Sequence, residues 1–254
     1  MRCHTRQQIF SNLLCTAAAK MLKALLDILL PPLCPVCECR LKEGPMCVEC
    51  RCLLLESRIK GPACRTCGAP FTGSYDAERE CGGCLTQKTP FVKARSLLRL
   101  SEPVHSAIRS FKYSGRVELA SALGRLLSEA PLFDERMDFA VPVPLHKDRL
   151  RQRGFNQSLL LAREVSKAAS IKIDYNNLNR MRVTEPQARL DAKERVKNVR
   201  GAFMVKDTTL FRGKNILLID DVITTGSTIK ECAKALSAAG ARVYVLTLAR
   251  NVTA

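Results

Sequence analysis

The sequence has 254 residues, 46% of them hydrophobic, and a formal net charge of +17 at pH 7. It contains no run of about 18 apolar residues and so predicts no membrane-spanning helix. Charged residues interrupt the apolar stretch near the N-terminus that a secretory signal would need, so the expected location is cytoplasmic. So large a positive charge favours a polyanionic partner, either nucleic acid or a phosphorylated metabolite.

The first predicted element is a short helix over residues 21–30, which ends where Pro31 and Pro32 prevent its continuation. Residues 1–33 are interpreted as an N-terminal extension that includes this helix. Met21 is an alternative start of the chain, in which case residues 1–20 are not part of the native protein. Mass spectrometry that finds Met1 at the native N-terminus would exclude this alternative.

Residues 34–88 are predicted to form a small module that folds around metal. Ten of the thirteen cysteines lie between Cys34 and Cys84, and eight of them form four Cys-x-x-Cys pairs. Two such pairs supply the four thiolates of a tetrahedral Zn²⁺ site, and a segment with few apolar runs needs metal for its folding energy. The expected ligands of two structural zinc ions are Cys34, Cys37, Cys47 and Cys50 for the first and Cys64, Cys67, Cys81 and Cys84 for the second.

Several alternatives stay open for this module. An iron–sulfur cluster or redox-active disulfides would use the same cysteine pairs, and the two zinc sites could be cross-braced rather than formed within each repeat. Cys39 and Cys52 each lie two residues after a predicted ligand, so they could exchange with a ligand or remain free thiols. Because a closed four-cysteine site has no open coordination position, we expect this module to hold a partner or DNA rather than to catalyse.

Strands and helices alternate in the predicted C-terminal domain, residues 89–254. The predicted strands cover 92–100, 139–144, 202–206, 216–219 and 243–248, and the predicted helices cover 115–129, 156–169 and 227–239. Strands separated by helices of about a dozen residues are typical of βαβ units and a mostly parallel sheet. The predicted fold class is therefore α/β, with a parallel sheet flanked by helices and a small Cys-rich module before it.

The segment from Asp220 to Thr228 carries the strongest signal for a ligand site. Asp220 and Asp221 follow the predicted strand 216–219, at the sheet edge where open α/β folds bind ligands. The turn into the next helix is expected to hold a phosphate through Thr224, Thr225, Gly226, Ser227 and Thr228, because hydroxyls and free N–H groups at a helix start bind anions. Two carboxylates before this turn suit a ligand that also has hydroxyl groups and a bound cation. A capped βα turn without a ligand is the alternative.

A basic segment lies beside this candidate site. Between Lys147 and Arg212 the chain has 16 Lys and Arg residues against 7 Asp and Glu. Its candidate nucleic-acid or lid residues are Arg149, Arg151, Arg153, Phe155 and Arg182, with Phe155 able to stack on a base. Because aromatic residues are only 5% of the chain, salt-sensitive contact with a nucleic-acid backbone is favoured over sequence readout. Neutralisation of a pyrophosphate, or a solvated surface, is the alternative.

These motifs together resemble those of one known family. The segment Asp220–Thr228 resembles the phosphoribosyl-pyrophosphate loop of type I phosphoribosyltransferases, and Ala140–His146 resembles the pyrophosphate loop of amidophosphoribosyltransferases. With the four cysteine pairs, these segments resemble the ComF family over roughly residues 21–250. Three further motifs carry the same resemblance: Arg153-Gly-Phe-Asn-Gln157, Thr184-x-x-Gln187 and Arg195-x-x-Asn198.

The resemblance implies a type I phosphoribosyltransferase fold preceded by a double zinc ribbon. It implies that Asp220 and Asp221 bind the ribose hydroxyls and act in any catalysis, that residues 224–228 hold the 5-phosphate, and that Mg²⁺ bridges the pyrophosphate of phosphoribosyl pyrophosphate. It also implies a role with imported single-stranded DNA and the proteins of natural competence. The sequence departs from the amidophosphoribosyltransferases at Leu145-His146-Lys147, where they have small and acidic residues.

That departure leaves ligand binding better supported than turnover, and no acceptor substrate is identified. Two other functions therefore stay open. One is a metabolic phosphoribosyltransferase, of nucleotide or amidophosphoribosyl type, in which zinc only stabilises the fold. The other is a non-catalytic module whose ligand pocket acts as a sensor.

Overall fold

The computed structural model describes residues 31–71, 79–113, 115–131, 133–182 and 197–252. The predicted helix 21–30 and most of the two lid motifs, residues 184–187 and Arg195, lie outside the described residues. The chain divides into two compact units, Met1–Cys50 and Arg51–Ala254. The second cysteine group therefore belongs to the larger unit, whereas the sequence suggests a module boundary at residue 88, which stays a proposal.

Helices and strands alternate along most of the described chain. The helices are α1 (Val48–Glu56), α2 (Gly82–Thr86), α3 (Val104–Tyr113), α4 (Leu119–Ser128), α5 (Lys147–Arg153), α6 (Gln157–Ala169), α7 (Thr208–Phe211) and α8 (Ser227–Ala238). The strands are β1 (Lys93–Arg99), β2 (Phe139–Pro142), β3 (Lys172–Ile173), β4 (Leu178–Arg180), β5 (Phe203–Val205), β6 (Asn215–Ile223) and β7 (Arg242–Arg250).

The main sheet has five strands in the order β1-β7-β6-β2-β3, and every neighbouring pair in it is parallel. Its central strands β6 and β7 are almost entirely buried. They are rich in apolar residues because helices cover both faces of a parallel sheet, so neither face meets water. The predicted α/β class with a parallel sheet is thereby confirmed.

Some predicted elements differ from the observed ones. The predicted strand 202–206 is β5, but it pairs antiparallel with β4 in a separate two-stranded sheet. The predicted strand 216–219 extends to Ile223, because β7 continues to pair with β6 after β2 has ended. Within residues 89–254 the sequence analysis did not predict α3, α5, α7, β3 or β4, of which all but α3 are seven residues or shorter, and before residue 89 it did not predict α1 or α2.

The second cysteine group packs against the edge of the main sheet. The Ala94 amide of β1 donates to the Thr66 carbonyl at 2.7 Å, and Arg250 Nη1 of β7 donates to the Cys67 carbonyl at 2.6 Å. Gly68 makes this close approach possible, since a Cβ atom there would lie 2.5 Å from the Ala94 oxygen. The second cysteine group is therefore built into the larger unit by its backbone.

Candidate functional site

The acidic pair lies within β6, at the point where the strand loses one neighbour. β2 pairs with β6 only as far as Ile219, whereas β7 pairs with it up to Ile223. Asp220 and Asp221 are the first residues beyond the end of β2, and both line a cavity of about 490 Å³. They are almost completely buried, with 7% and 2% of their surfaces exposed.

The first turn of α6 holds both carboxylates in place. Ser158 Oγ donates to Asp220 Oδ1 at 2.7 Å, and Gln157 Nε2 donates to Asp221 Oδ1 at 3.2 Å. Asn156 caps this helix by accepting from the amides of Ser158 and Leu159. Arg153 Nη1 in turn donates to Gln157 Oε1 at 2.6 Å. The motif Arg153–Gln157 thus positions the helix start whose side chains orient the acidic pair.

Lys112 of α3 forms an ion pair with Asp221 Oδ2. Burial by itself raises the pKa of the Asp221 carboxyl, but the Lys112 ammonium and the hydrogen bonds outweigh it and hold the pKa below its usual value. For Asp220, burial and the neighbouring Asp221 charge raise the pKa to about 7, against the opposing effects of Ser158 and Lys112. Near neutral pH the pair therefore combines one firmly ionised carboxylate with one that titrates.

The turn after β6 leads directly into α8. Gly226 is its N-cap residue, with a φ of 74° in the left-handed region that glycine adopts at little cost. Because Gly226 has no side chain, it cannot cap the helix. Thr225 Oγ1 lies 3.0 Å from Ser227 Oγ, which fixes the hydroxyls beside the first turn. The Ser227 amide donates to Thr225 Oγ1 at 3.4 Å. Amide groups and hydroxyls at the start of a twelve-residue helix suit a phosphate group.

Basic side chains line the same cavity as the acidic pair and this turn. They are His105, Arg109, Lys112, Arg149, Arg153 and Arg180. Arg149 Nη2 is buried and makes no hydrogen bond within the described residues. Buried donors normally have partners, and a guanidinium favours phosphate oxygens. The cavity therefore has the composition of a site for an anionic ligand that also has hydroxyl groups.

The structure brings most of the predicted ligand residues together. Besides the acidic pair, the cavity is lined by Thr224, Gly226, Ser227, Thr228, Arg149 and Arg153. Thr225 is exposed and contributes through its contact with Ser227. The side chains of Arg149 and Arg153 share one face of α5 because they are four residues apart.

Three predicted nucleic-acid or lid residues are not among those that line this cavity. The Arg151 side chain is 80% exposed and approaches Asp148 at 3.7 Å. Phe155, which the sequence suggested could stack on a base, instead stacks on Phe111 with ring centroids 5.6 Å apart. Arg182 donates to the Arg200 carbonyl. The exposed aromatic ring at the cavity is Tyr113, 67% exposed, with the Arg153 guanidinium 5.2 Å from its centre.

The residues that the sequence analysis missed lie mainly on α3. This helix buries Val104, Ala107, Ile108 and Phe111, which recur at the i, i+3, i+4, i+7 spacing of an amphipathic helix. That spacing could have revealed the helix. It could not have revealed that Lys112 pairs with Asp221, because the two residues are far apart in the sequence.

Both cysteine groups have the geometry of a zinc site. In each group four sulfur atoms lie within 4.8 Å of one another. Tetrahedral zinc with bonds of about 2.3 Å places its sulfur ligands about 3.8 Å apart, and the Cys37–Cys47 and Cys67–Cys81 sulfurs are each 3.6 Å apart. Backbone amides also point at sulfur, such as Cys81 N to Cys64 Sγ at 3.3 Å. The donor sets therefore fit Zn²⁺ bound as thiolates.

The membership of the first group differs from the prediction in one residue. The second group is the predicted set, Cys64, Cys67, Cys81 and Cys84, whereas the first consists of Cys34, Cys37, Cys39 and Cys47. Cys50 is buried next to this group, and Cys52 is exposed and belongs to neither group.

None of the helices in the described part of the chain combines the length and apolar character needed to cross a bilayer.

Comparison with protein families finds two matches, a double zinc ribbon domain over residues 25–85 and a phosphoribosyl transferase domain over residues 156–252. The predicted architecture, a phosphoribosyltransferase-like fold preceded by a zinc-ribbon module, is thereby confirmed.

Three curated relatives match most of this chain. The DNA utilization protein YhgH of Escherichia coli K12 is 34% identical over 229 residues, covering 87% of this chain and 98% of that protein. Competence protein F of Haemophilus influenzae is 32% identical, covering 80% of this chain and 96% of that protein. Competence protein ComFC of Bacillus subtilis is 30% identical, covering 82% and 85%.

Proposed function

This chain belongs to the ComF family, and we propose that it binds phosphoribosyl pyrophosphate with Mg²⁺ beside Asp220 and Asp221 and acts on or near imported single-stranded DNA. The observation that carries the proposal is the lining of one cavity, where a buried acidic pair, the start of α8 and basic side chains meet. The names of the relatives, which refer to competence and DNA utilization, support the DNA part. Cysteine-bound zinc fits the reducing cytoplasm, where we place the protein.

Each part of the proposed ligand has a chemically matching set of residues. Carboxylate oxygens of Asp220 and Asp221 accept hydrogen bonds from ribose hydroxyls, and the start of α8 holds the 5-phosphate. Arg149 and Arg153 supply positive charge for the pyrophosphate. This assignment uses the buried Arg149 Nη2, which otherwise lacks a hydrogen-bond partner among the described residues.

Mg²⁺ fits the same place. It prefers hard oxygen ligands and usually binds through one or two carboxylates together with substrate phosphates, and Asp220 and Asp221 are the carboxylates that line the cavity. When bound, the ion would neutralise charge on the pyrophosphate. Lys112 already pairs with Asp221, so ligand binding must share or displace this ammonium group.

Several features favour single-stranded DNA as the second partner. The charge of +17 still leaves about +13 after two four-thiolate zinc sites are counted. Tyr113 and Arg153 together present an aromatic ring and a guanidinium in the lining of the cavity. An exposed ring next to a cation is the type of surface on which bases stack without sequence preference. DNA-uptake proteins of the competence machinery are the protein partners that this proposal implies.

A metabolic phosphoribosyltransferase with structural zinc is the second candidate. It is favoured by the position of the basic side chains, which line the cavity interior and fit a leaving pyrophosphate as well as they fit DNA. Release of pyrophosphate on addition of an amine or a nucleobase would support this candidate, for which no acceptor is identified.

Calorimetry with ligand fragments tests the proposed pocket. We expect zinc-replete protein to bind phosphoribosyl pyrophosphate with Mg²⁺ more tightly than either ribose 5-phosphate or pyrophosphate, since only the whole ligand offers groups to the acidic pair, the start of α8 and the arginine side chains together. Replacing Arg149 by Ala should weaken binding by about tenfold to a hundredfold, the loss expected for a charged hydrogen bond.

The matched control is Arg151→Ala on the same helix, because Arg151 faces solvent and its loss should leave the affinity unchanged. Pyrophosphate that binds as tightly as the whole ligand would contradict a ribose-phosphate site and indicate a general anion site.

A further inference from the structure

The two cysteine groups begin with knuckles of the same structure. In the first, the Cys34 amide donates to the Cys39 carbonyl and the Glu38 amide to the Cys34 carbonyl, both at 2.8 Å. In the second, the Cys64 amide donates to the Ala69 carbonyl at 2.8 Å and the Gly68 amide to the Cys64 carbonyl at 2.9 Å. An isolated β-bridge follows the same pattern, Leu33 with Arg40 and Ala63 with Pro70. The knuckles can therefore be compared residue by residue.

This comparison places Cys39 at the position of Ala69. The preceding residues also correspond, since Glu38 and Gly68 have φ values of 63° and 69°. A left-handed conformation costs more free energy for glutamate than for glycine. The first knuckle therefore adopts the same backbone as the second although Glu38 is strained in it. The same backbone position thus carries a thiol in the first knuckle and a methyl group in the second.

The extra thiol lies among the other sulfurs of the first group. The Cys39 sulfur is within 4.8 Å of those of Cys34, Cys37 and Cys47. Cys50 lies directly beside them, since its amide donates to Cys47 Sγ at 3.4 Å and its thiol interacts with the thiols of Cys34, Cys37 and Cys47. The first group therefore offers five sulfurs to an ion that binds four in structural sites.

We propose that the first zinc site has an exchangeable fourth ligand, for which Cys39 and Cys50 compete, whereas the second site is a closed set of four thiolates. The two competitors differ in their surroundings, since Cys39 is exposed and Cys50 is buried with 5% of its surface accessible. Zinc held by Cys50 leaves an exposed thiol beside it, and zinc held by Cys39 leaves a buried one. This inference rests on structural zinc and not on the proposed ligand pocket.

Replacing zinc by Co²⁺ counts the thiolates, because the intensity of the sulfur-to-cobalt charge-transfer band increases with each one. We expect Cys50→Ser to retain the full intensity, since Cys39 takes its place. The equivalent variant of the second site, Cys84→Ser, should lose about one eighth of the intensity, one thiolate of two four-thiolate sites. The double variant Cys39→Ala/Cys50→Ser should show the same loss.

The second knuckle provides the converse experiment. Introducing the thiol with Ala69→Cys should restore the lost intensity in the Cys84→Ser background, because the two knuckles have the same backbone. Native mass spectrometry supplies an independent readout. The Cys50→Ser protein should still carry about two zinc ions per chain, one in each structural site.

Either of two results would overturn the proposal. One is a Cys50→Ser protein that loses thiolate intensity, loses one zinc ion or fails to fold, since Cys50 would then be an obligatory ligand. The other is an unchanged spectrum for Cys39→Ala/Cys50→Ser, which would remove both residues from the coordination shell.

Discussion

Replacing both acidic residues, Asp220→Asn/Asp221→Asn, is expected to weaken binding of phosphoribosyl pyrophosphate by at least about a hundredfold. Hydrogen bonds to charged groups contribute about 1.5–3 kcal/mol each, and the variant loses those that the two carboxylates accept from the ribose hydroxyls. It also removes the negative charge beside a bound Mg²⁺. Calorimetry of the purified variant with the ligand and Mg²⁺ measures the loss.

Loss of the Asp221 charge also affects stability, so a second variant is needed to separate folding from binding. Asp221→Asn leaves the mostly buried Lys112 ammonium without its partner, and breaking a buried ion pair in this way costs about 3–5 kcal/mol. The variant Lys112→Met/Asp220→Asn/Asp221→Asn removes the ammonium group together with both carboxylates, and it should regain most of the melting temperature without regaining affinity. Normal ligand affinity in any folded variant that lacks both carboxylates would show that the site is assigned to the wrong residues.

The second large effect is expected from the second zinc site. Cys81→Ser should lower the melting temperature of the larger unit by about 10 °C or more, since a structural zinc site contributes several kcal/mol of folding energy and each kcal/mol shifts the melting temperature by about 2–4 °C. The loss spreads because the knuckle is hydrogen-bonded to β1 and β7. Tyrosine fluorescence reports on this unit alone, because the chain has no tryptophan and all four tyrosines follow residue 51.

Cys47→Ser is the matched control, since Cys47 holds the equivalent place in the first group. That group lies in the other compact unit, so tyrosine fluorescence should show a shift of less than about 3 °C. Equal shifts for the two variants would mean that the larger unit depends on both zinc sites and not on its own alone.

Local sequence signals predicted the turn between β6 and α8. A buried apolar run, two acidic residues and a Thr-Thr-Gly-Ser-Thr turn into a helix all follow one another along the chain, so their spacing alone placed them at one sheet edge. The cysteine pairs were equally local, because each lies on a single tight turn. In both cases the residues that act together are close in sequence.

The remaining features depend on contacts between distant segments. The ion pair between Lys112 and Asp221 forms only when α3 packs beside β6, and the sequence pattern identifies neither partner. The sequence indicates that Phe155 could stack on a base, but in the folded chain its ring stacks on Phe111. The sequence leaves Cys39 without an assigned role, and its position among the sulfurs of the first group depends on the fold of the first knuckle.

Calorimetry with phosphoribosyl pyrophosphate and Mg²⁺, with and without a saturating single-stranded oligothymidylate, tests the central proposal most directly. If the pocket and DNA binding work together, the affinity for the ligand should change by at least about fivefold when DNA is bound, and by linkage the affinity for DNA should change by the same factor. An affinity for the ligand that is the same with and without DNA would contradict a joint role and favour a metabolic phosphoribosyltransferase. Absence of any ligand binding would contradict the pocket assignment itself.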